Sequence, residues 1–216
     1  MTKIGIMLGG PIELIDFEKD FQNDYDKWLG VDGGAVYLLN KQIPVDVAIG
    51  DFDSVSATNM EKITKEARKV IAFEAEKDDT DTEISLLYAL NELEATKIDI
   101  FGATGGRIDH LLSNLLMVNQ PRFKQFASRI TFRDKTNTIS FYLPGKYFIK
   151  KEIDKKYISF IGLSAIEKLV LKDFKYNLDA TSYAYSPALV SNEFVEKEAY
   201  FSYNKGLIMV VQSKDA

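Results

Sequence analysis

Cysteine is absent from this chain of 216 residues, and histidine and tryptophan each occur only once. Disulfides and thiolate metal sites are therefore excluded, and the single imidazole, His110, cannot build a zinc site that needs several. Neither sign of charge dominates, because 32 acidic residues face 27 basic ones for a net charge of −5. A nucleic-acid footprint needs clustered excess Lys and Arg. The sequence predicts no nucleic-acid partner.

Long apolar runs are also missing, and none approaches the roughly 20 residues that a membrane-spanning helix requires. The first ten residues, MTKIGIMLGG, enter a strand-like pattern at once and lack the layout of a signal peptide. We therefore expect no membrane partner and a cytoplasmic protein. Hydrophobic residues make up 46% of the chain, which is enough for the core of one large or two small domains.

Residues 1–127 alternate short apolar runs with amphipathic stretches. The runs typical of strands are residues 3–8, 28–31, 45–49, 70–73 and 98–102. The stretches typical of helices are residues 12–24, 34–40, 56–69, 81–95 and 109–119. Strands separated by helices indicate βαβ crossovers and a mainly parallel sheet covered by helices. We expect residues 1–127 to form an α/β domain.

Residues 128–216 have a different texture, with short β-branched or aromatic segments separated by turn residues. The segments typical of strands are residues 129–133, 138–143, 157–161, 168–172, 199–203 and 207–212. Eight of the 11 tyrosines lie beyond residue 140, which favours β structure. We expect a second domain that is a small all-β sandwich.

Each predicted strand of the first domain ends in a loop rich in Gly or Asp. These loops are GGP (9–11), DGG (32–34), GDFDS (50–54), KDDTD (77–81) and GATGGRID (102–109). In an open parallel sheet such loops share one edge, and ligands bind outside the carboxyl ends of the strands. The glycines either make tight turns or let backbone approach phosphate at a helix N-terminus. Neither a P-loop nor a clean G-x-G-x-x-G fingerprint is present.

Asp51 and Asp53 follow an apolar run and are separated by one residue. In extended backbone such positions project to one face, where two like charges repel unless a cation or donors lie between them. Hard oxygen ligands without imidazole or thiolate suit Mg²⁺, which binds one or two carboxylates plus substrate phosphates. Arg107 follows Gly105 and Gly106 and offers a bidentate fork for phosphate. The pattern predicts Mg²⁺ and a polyphosphate between the aspartates and Arg107.

Structural interpretations compete with function at several positions. Thr80 and Glu83 fit a capping box at the start of a helix, which explains Glu83 and serves equally well for Thr80. A solvated charge run is the alternative for Asp78 and Asp81, although their position at a strand end favours function. Asp109 could cap the next helix or take part in catalysis.

Four motifs in this order and spacing resemble bacterial thiamine pyrophosphokinases: V-D-G-G, G-D-F-D-S, K-D-D-T-D-T-E and G-A-T-G-G-R-I-D-H. The downstream stretches L-K-D-F-K-Y-N-L (171–178) and S-N-E (191–193) are similar to that family's C-terminal signatures. The resemblance implies an α/β nucleotide-binding domain followed by a β-sandwich, and a homodimer. It also implies transfer of an intact pyrophosphoryl group from ATP to the thiamine hydroxyl, giving thiamine diphosphate and AMP.

The resemblance also implies roles for individual residues. The Mg²⁺ ligands would be Asp51, Asp53 and Asp78. The catalytic residues would be Asp51, Asp53, Asp78, Asp81, Arg107 and Asp109. The residues at the nucleotide and phosphate end would be Asp32, Gly33, Gly34, Thr80, Gly105, Gly106 and Arg107. Ser191 and Asn192 would lie near thiamine, whose pocket in this family forms between two subunits. This chain departs from the family by having Ala188, Leu189 and Val190 where Ser and Thr are usual.

Two other functions remain open. The stretch from Asp51 to Val55 weakly matches the D-x-D-x-[TV] motif of aspartyl-phosphate phosphatases, whose first carboxylate is phosphorylated. That motif normally opens its fold, whereas two βα units precede it here, and it leaves Arg107 without a role. The second alternative is a non-catalytic nucleotide or thiamine sensor. A simple anion-binding site, however, needs only backbone N–H groups and one cation, so a sensor would not require this full set of carboxylates together with an arginine.

Overall fold

The computed structural model describes residues 1–17, 25–74 and 78–215. The chain divides into two compact units, the first made of Met1–Met117 with Arg133–Lys135 and the second of Val118–Phe132 with Thr136–Ala216. The units are not two successive stretches of chain. The predicted domain boundary between residues 127 and 128 stays a prediction.

The first unit contains a parallel sheet with strand order β5-β1-β2-β3-β4. Its strands are β1 (Lys3–Met7), β2 (Lys27–Val31), β3 (Val47–Gly50), β4 (Val70–Ala72) and β5 (Lys97–Phe101). Its helices are α1 (Gly33–Asn40), α2 (Ala57–Glu66), α3 (Asp81–Asn91) and α4 (Ile108–Leu116). Apart from their first residues, β1, β2 and β5 are buried throughout, as expected for parallel strands covered on both faces.

Local signals in the sequence set the starts of two helices. Ser56 precedes α2 and its Oγ accepts from the N–H of Asn59 at 3.3 Å. Thr80 precedes α3 and forms the predicted capping box with Glu83: Thr80 Oγ1 accepts from Glu83 N at 3.2 Å, and Glu83 Oε2 accepts from Thr80 N at 2.9 Å. In the part of the chain that the structure describes, no helix is long and apolar enough to cross a membrane.

The helix predicted over residues 12–24 is wrong at its beginning. Only a short 3₁₀ helix, Ile12–Leu14, forms there, and residues 15 and 16 are not helical. The carbonyl of Leu14 accepts from the N–H of Lys135 at 2.8 Å, so a tertiary hydrogen bond occupies the group that a continuing helix would use. Residues 18–24 of that prediction lie outside the described residues.

The second unit consists mainly of antiparallel strands in two sheets, with strand orders β12-β9-β14-β7-β6 and β11-β10-β13-β8. The strands are β6 (Ile130–Arg133), β7 (Asn137–Tyr142), β8 (Gly145–Lys150), β9 (Tyr157–Gly162), β10 (Ile166–Lys172), β11 (Leu178–Tyr183), β12 (Ala188–Glu193), β13 (Glu198–Tyr203) and β14 (Ile208–Ser213). One helical turn, α5 (Pro121–Lys124), precedes them. The sandwich-like arrangement confirms the predicted fold class.

Aromatic side chains fill the core between the two sheets of the second unit. Phe160 lies 5.3 Å from Phe174 and 5.1 Å from Phe201 between ring centroids, in edge-to-face geometry. Tyr203 is 2% exposed, and its hydroxyl donates to the carbonyl of Tyr142. Burial raises the pKa of Tyr203 well above the ordinary value for tyrosine. Tyr203 therefore belongs to the β core, whereas Tyr176 and Tyr185 are exposed.

Three strands of the second unit are absent from the sequence-based prediction, namely β8, β11 and β12. All three lie at sheet edges, and most of their residues are exposed or half-buried. Edge strands of natural sheets are often polar or charged, which discourages pairing with other chains. Their sequences, GKYFIK, LDATSY and ALVSNE, consequently lack the apolar pattern that marks the central strands.

A buried carboxylate joins three parts of the first unit. Asp99 on β5 is 1% exposed, and its Oδ2 accepts from the hydroxyl of Tyr25 at 2.8 Å. Lys3 Nζ lies 3.7 Å from the same oxygen, and Arg133 Nε lies 3.4 Å from Oδ1. Burial lowers the pKa of Lys3, while the Asp99 charge opposes that shift. Both cations therefore lie close to the same buried carboxylate.

Asp99→Ala removes that shared counter-charge, so we expect the free energy of unfolding to fall by about 3–5 kcal/mol. Urea unfolding followed through Trp28, the chain's one tryptophan and a core residue of the first unit, measures the loss. The control Arg68→Ala removes an exposed ion pair with Asp46 and should cost less than about 1 kcal/mol. If both variants lost the same free energy of unfolding, Asp99 would not be the stabilising counter-charge of Lys3 and Arg133.

Candidate active site

A cavity of about 870 Å³ lies in the first unit, and residues from the loops at the carboxyl ends of its strands line it. Leu8, Gly9, Gly10 and Pro11 line it after β1. The other lining residues come mainly from the loops after β2, β3 and β5 and from the residues just before α3. The predicted site residues found in this lining are Asp32, Gly33, Asp51, Asp78, Thr80, Asp81, Gly106, Arg107 and Asp109.

Three predicted residues of the first unit do not line the cavity: Asp53, Gly34 and Gly105. Gly34 is buried behind the wall, where an added Cβ would lie 2.0 Å from the carbonyl oxygen of Met7. Glycine is required there so that the start of α1 can approach the end of β1. Gly105 has φ +80° and packs against Leu14.

The aspartate pair has a geometry that differs from the prediction. Strand β3 ends at Gly50, and Phe52, which stands between the aspartates, has φ +57° and is 7% exposed. The expectation of two carboxylates on one face of an extended strand is wrong, because burying Phe52 in the core turns the chain. Asp51 lines the cavity, and its Oδ1 accepts from the N–H of the exposed Asp53 at 3.1 Å.

The carboxylates of the cavity fit a cation that brings other ligands with it. Asp51 and Asp78 both contribute to the lining, and Asp53 follows Asp51 on the same turn. Among the described residues, no group of three or more Asp, Glu or His side chains is close enough to hold a metal ion by itself. The described residues thus form no metal cage made entirely of protein. Mg²⁺ commonly takes one or two carboxylates and completes its shell with phosphate and water, and this donor set suits that arrangement.

Arg107 and Asp109 form an exposed bidentate ion pair at the start of α4. Arg107 Nε lies 3.1 Å from Asp109 Oδ1, and Nη2 lies 2.5 Å from Oδ2. The hydrogen bond lowers the pKa of Asp109 and raises that of Arg107, so both are charged at neutral pH. Asp109 does not cap the helix, because α4 begins at Ile108 after Arg107, and Asp109 Oδ1 accepts from its neighbour, the N–H of His110.

Sequence reasoning missed a hydrogen bond that holds the loop after β5. Thr104 lines the cavity, and its hydroxyl donates to Asp134 Oδ2 at 2.7 Å. Asp134 is 8% exposed and belongs to the first unit. The loop contains Gly102 at φ +70° and Gly105 at φ +80°, so its backbone gains from an external anchor. Nothing in the stretch FRDKTN marks Asp134 as part of a site.

Other lining residues were also not predicted. Two of them, Ser54 and Asp79, lie in loops that the sequence places at this edge. The others lie on predicted helices: Tyr37, Thr82, His110, Ser113 and Asn114. His110, Ser113 and Asn114 fall on α4. Only helix periodicity combined with the sheet topology could have placed them at the cavity.

Ser191 and Asn192 lie on β12 in the second unit. Asn192 is 5% exposed, and its Oδ1 accepts from the N–H groups of Tyr176 and Glu193, each at 2.9 Å. Its Nδ2 donates to the carbonyl of Tyr176 at 2.7 Å. The Asn192 amide therefore holds backbone in place, whereas Ser191 is exposed and has φ +58°. Their predicted place near thiamine stays a prediction.

The two units define the general class of protein. A parallel sheet covered by helices, with an acidic cavity at the strand ends, accompanies an antiparallel two-sheet unit. This combination describes a protein built from an α/β part with an acidic ligand cavity and a β-sandwich part.

Comparisons with known proteins identify the family. Residues 19–130 match the family model "Thiamin pyrophosphokinase, catalytic domain", and residues 146–208 match "Thiamin pyrophosphokinase, vitamin B1 binding domain". The chain is 38% identical over 219 residues to the thiamine pyrophosphokinase of Bacillus subtilis (strain 168), with 100% of both chains covered. The chain therefore belongs to the thiamine pyrophosphokinase family and is an enzyme, which confirms the resemblance seen in the motifs.

Solved structures agree with this assignment. A crystal structure of a thiamin pyrophosphokinase family protein from Enterococcus faecalis is 38% identical, with a TM-score of 0.93 and complete coverage of both chains. The thiamin pyrophosphokinase from Geobacillus thermodenitrificans is 33% identical, with a TM-score of 0.85 over 100% of this chain and 99% of that one. The fold class predicted from the sequence is the fold of these relatives.

Thr104→Val replaces the hydroxyl with a methyl group of similar size and removes one hydrogen bond to the buried Asp134 carboxylate. We expect the free energy of unfolding to fall by about 1–3 kcal/mol, because a buried acceptor loses a partner. The matched control Thr104→Ser keeps the hydroxyl and should lose about 1 kcal/mol or less. Urea unfolding followed by Trp28 fluorescence measures both variants. A valine variant as stable as the serine variant would show that the bond does not anchor the loop.

Proposed function

We propose that this enzyme transfers a pyrophosphoryl group from ATP to the hydroxyl of thiamine with the help of Mg²⁺, giving thiamine diphosphate and AMP. The observation that carries the proposal is one cavity whose lining joins Asp51, Asp78 and Asp81 with Arg107. Membership of the thiamine pyrophosphokinase family supports the same reaction.

The proposed reaction makes and breaks one bond at the β-phosphorus of ATP. The thiamine hydroxyl oxygen bonds to that phosphorus, and the bond from the α,β-bridging oxygen to the same phosphorus breaks. AMP leaves with the bridging oxygen, and the hydroxyl proton is released. Such transfers depend chiefly on positioning and on neutralising charge at the phosphoryl oxygens, so no covalent protein nucleophile is required.

The chain's own groups divide this work. Asp51, Asp53 and Asp78 would hold Mg²⁺, which when bound neutralises phosphate charge and orients the phosphates. Arg107 would offer its fork to a phosphate, while Asp109 keeps the guanidinium oriented.

Backbone and helix ends complete the phosphate end of the proposed site. Gly33 opens α1 and lines the cavity, so N–H groups at the positive end of that helix would favour phosphate. The other residues proposed for the nucleotide and phosphate end are Asp32, Gly34, Thr80, Asp81, Gly105 and Gly106. Gly34 and Gly105 would act indirectly, since they permit close packing behind the lining.

In this proposal, the second unit supplies the residues that bind thiamine. Residues 146–208 match the vitamin B1 binding family model, and Ser191 and Asn192 fall within them. We propose a homodimer with thiamine near the subunit interface. Exposed apolar side chains support it, since Phe148 is 73% exposed and Tyr185 is 66% exposed. A cytoplasmic location would supply the ATP.

The decisive experiment incubates the protein with ATP, Mg²⁺ and thiamine and separates the products by chromatography. We expect AMP and thiamine diphosphate in equal amounts. ADP with thiamine monophosphate would change the reaction to single phosphoryl transfer. Free phosphate without a thiamine product would support a phosphatase that uses Asp51, and saturable binding without turnover would support a sensor. Each of these three outcomes would overturn the proposal.

Asp53→Asn tests the metal assignment at the residue that lies outside the cavity lining. Loss of a ligand to Mg²⁺ should lower the rate by about 100-fold or more, since the ion is worth several kcal/mol at the transition state. The Mg²⁺ concentration for half-maximal rate should rise, and the melting temperature should stay close to that of the wild type. Asp179→Asn, an exposed change in the second unit, is the matched control. A near-normal rate at saturating Mg²⁺ would remove Asp53 from the metal site.

A further inference from the structure

Asp32 links the end of β2 to the turn that follows β3. Its backbone N–H donates to the carbonyl of Ile49 at 3.0 Å, and its carboxylate Oδ1 accepts from the N–H of Phe52 at 3.2 Å. One residue therefore contacts both the last part of β3 and the turn beyond it. Residues 50–53 are called the aspartate turn below.

The contact between Asp32 and the aspartate turn is close. A Cβ added to Gly50 would lie 1.8 Å from Asp32 Oδ1 and 2.7 Å from its Cγ. Only glycine leaves room for the carboxylate at this point, because no real Cβ approaches an oxygen so closely. The Asp32 carboxylate can therefore occupy its position only because residue 50 has no side chain.

The aspartate turn needs such support because of its backbone. Phe52 has φ +57°, a region that bulky side chains rarely adopt and that persists only when surrounding structure holds it. Its ring is buried and its amide is bound by Asp32. Since Phe52 stands between Asp51 and Asp53, its conformation decides where both carboxylates lie.

We propose that Asp32 is a positioning residue, which sets the aspartate turn through the Phe52 amide and so places Asp51 and Asp53. The inference rests on the proposed function only for the role of those two aspartates. The hydrogen bond and the close contact with Gly50 stand independently of that function.

The first test needs neither substrate nor metal, because it measures hydrogen exchange of the Phe52 amide by NMR. In Asp32→Ala the amide loses its acceptor, and we expect exchange at least about tenfold faster, in line with the loss of one hydrogen bond. Asp32 has φ +47°, which asparagine also tolerates. Asp32→Asn keeps an Oδ1 acceptor without the charge, so exchange should stay within about threefold of the wild type. This conservative variant also guards against an alanine variant that fails to fold.

The second test displaces the carboxylate without changing it. Gly50→Ala puts a methyl group where Asp32 Oδ1 lies, so Phe52 exchange should rise as in Asp32→Ala. In both variants kcat should fall about 100-fold, the scale expected for a misplacement of roughly 1 Å. Asp32→Asn should lose less kcat than Asp32→Ala, because it keeps the acceptor for the Phe52 amide.

Two results would overturn the inference. Unchanged Phe52 exchange in Asp32→Ala would show that the bond does not hold the turn. An Asp32→Asn enzyme as slow as Asp32→Ala, with Phe52 still protected, would show that Asp32 acts through its charge. A wild-type protein that makes no AMP and thiamine diphosphate would instead overturn the proposed function, and the exchange result would stand by itself.

Discussion

The close approach of backbone to backbone at one edge of the parallel sheet is the constraint on which the site depends. The N–H of Gly10 donates to the carbonyl of Gly102 at 3.0 Å, and an added Cβ on Gly10 would lie 2.2 Å from that oxygen. Gly34 meets Met7 in the same way. The backbone groups of these loops hydrogen-bond to one another, and no side chains lie between them. The side chains of the loops can therefore point into the cavity.

This packing concentrates like charges, which is unfavourable by itself. Asp51, Asp78 and Asp81 share one cavity, while the nearby cation Arg107 is engaged with Asp109. Carboxylates held together without a cation repel one another. This concentration of carboxylates supports the proposal that the substrate arrives with a cation, since natural proteins depart from favourable local chemistry mainly at functional positions.

The parts of the fold that follow from local pattern and topology could be predicted from the sequence. Alternating runs predict the parallel sheet, and the Thr80–Glu83 capping box is a signal of four residues. The turn at Phe52 could not be predicted, because it depends on how the Phe52 side chain packs in the tertiary core. The bond from Thr104 to Asp134 spans 30 residues and has no local signature. Edge strands such as β11 were not predicted, because most of their side chains face solvent and their sequences lack the apolar alternation of a buried strand.

The acidic residues at this site are not equivalent, although a motif presents them alike. Asp32 accepts a backbone N–H, Asp134 accepts a threonine hydroxyl, and Asp109 pairs with a guanidinium, so each of these carboxylates has a structural contact. A hydrogen-bonded carboxylate is costly to remove and holds its neighbours in place. Asp51 also combines two roles, because it lines the cavity, as Asp32 and Asp109 do, and accepts from the N–H of Asp53. The chemistry of the cavity therefore depends on carboxylates that shape it as much as on those that face a ligand.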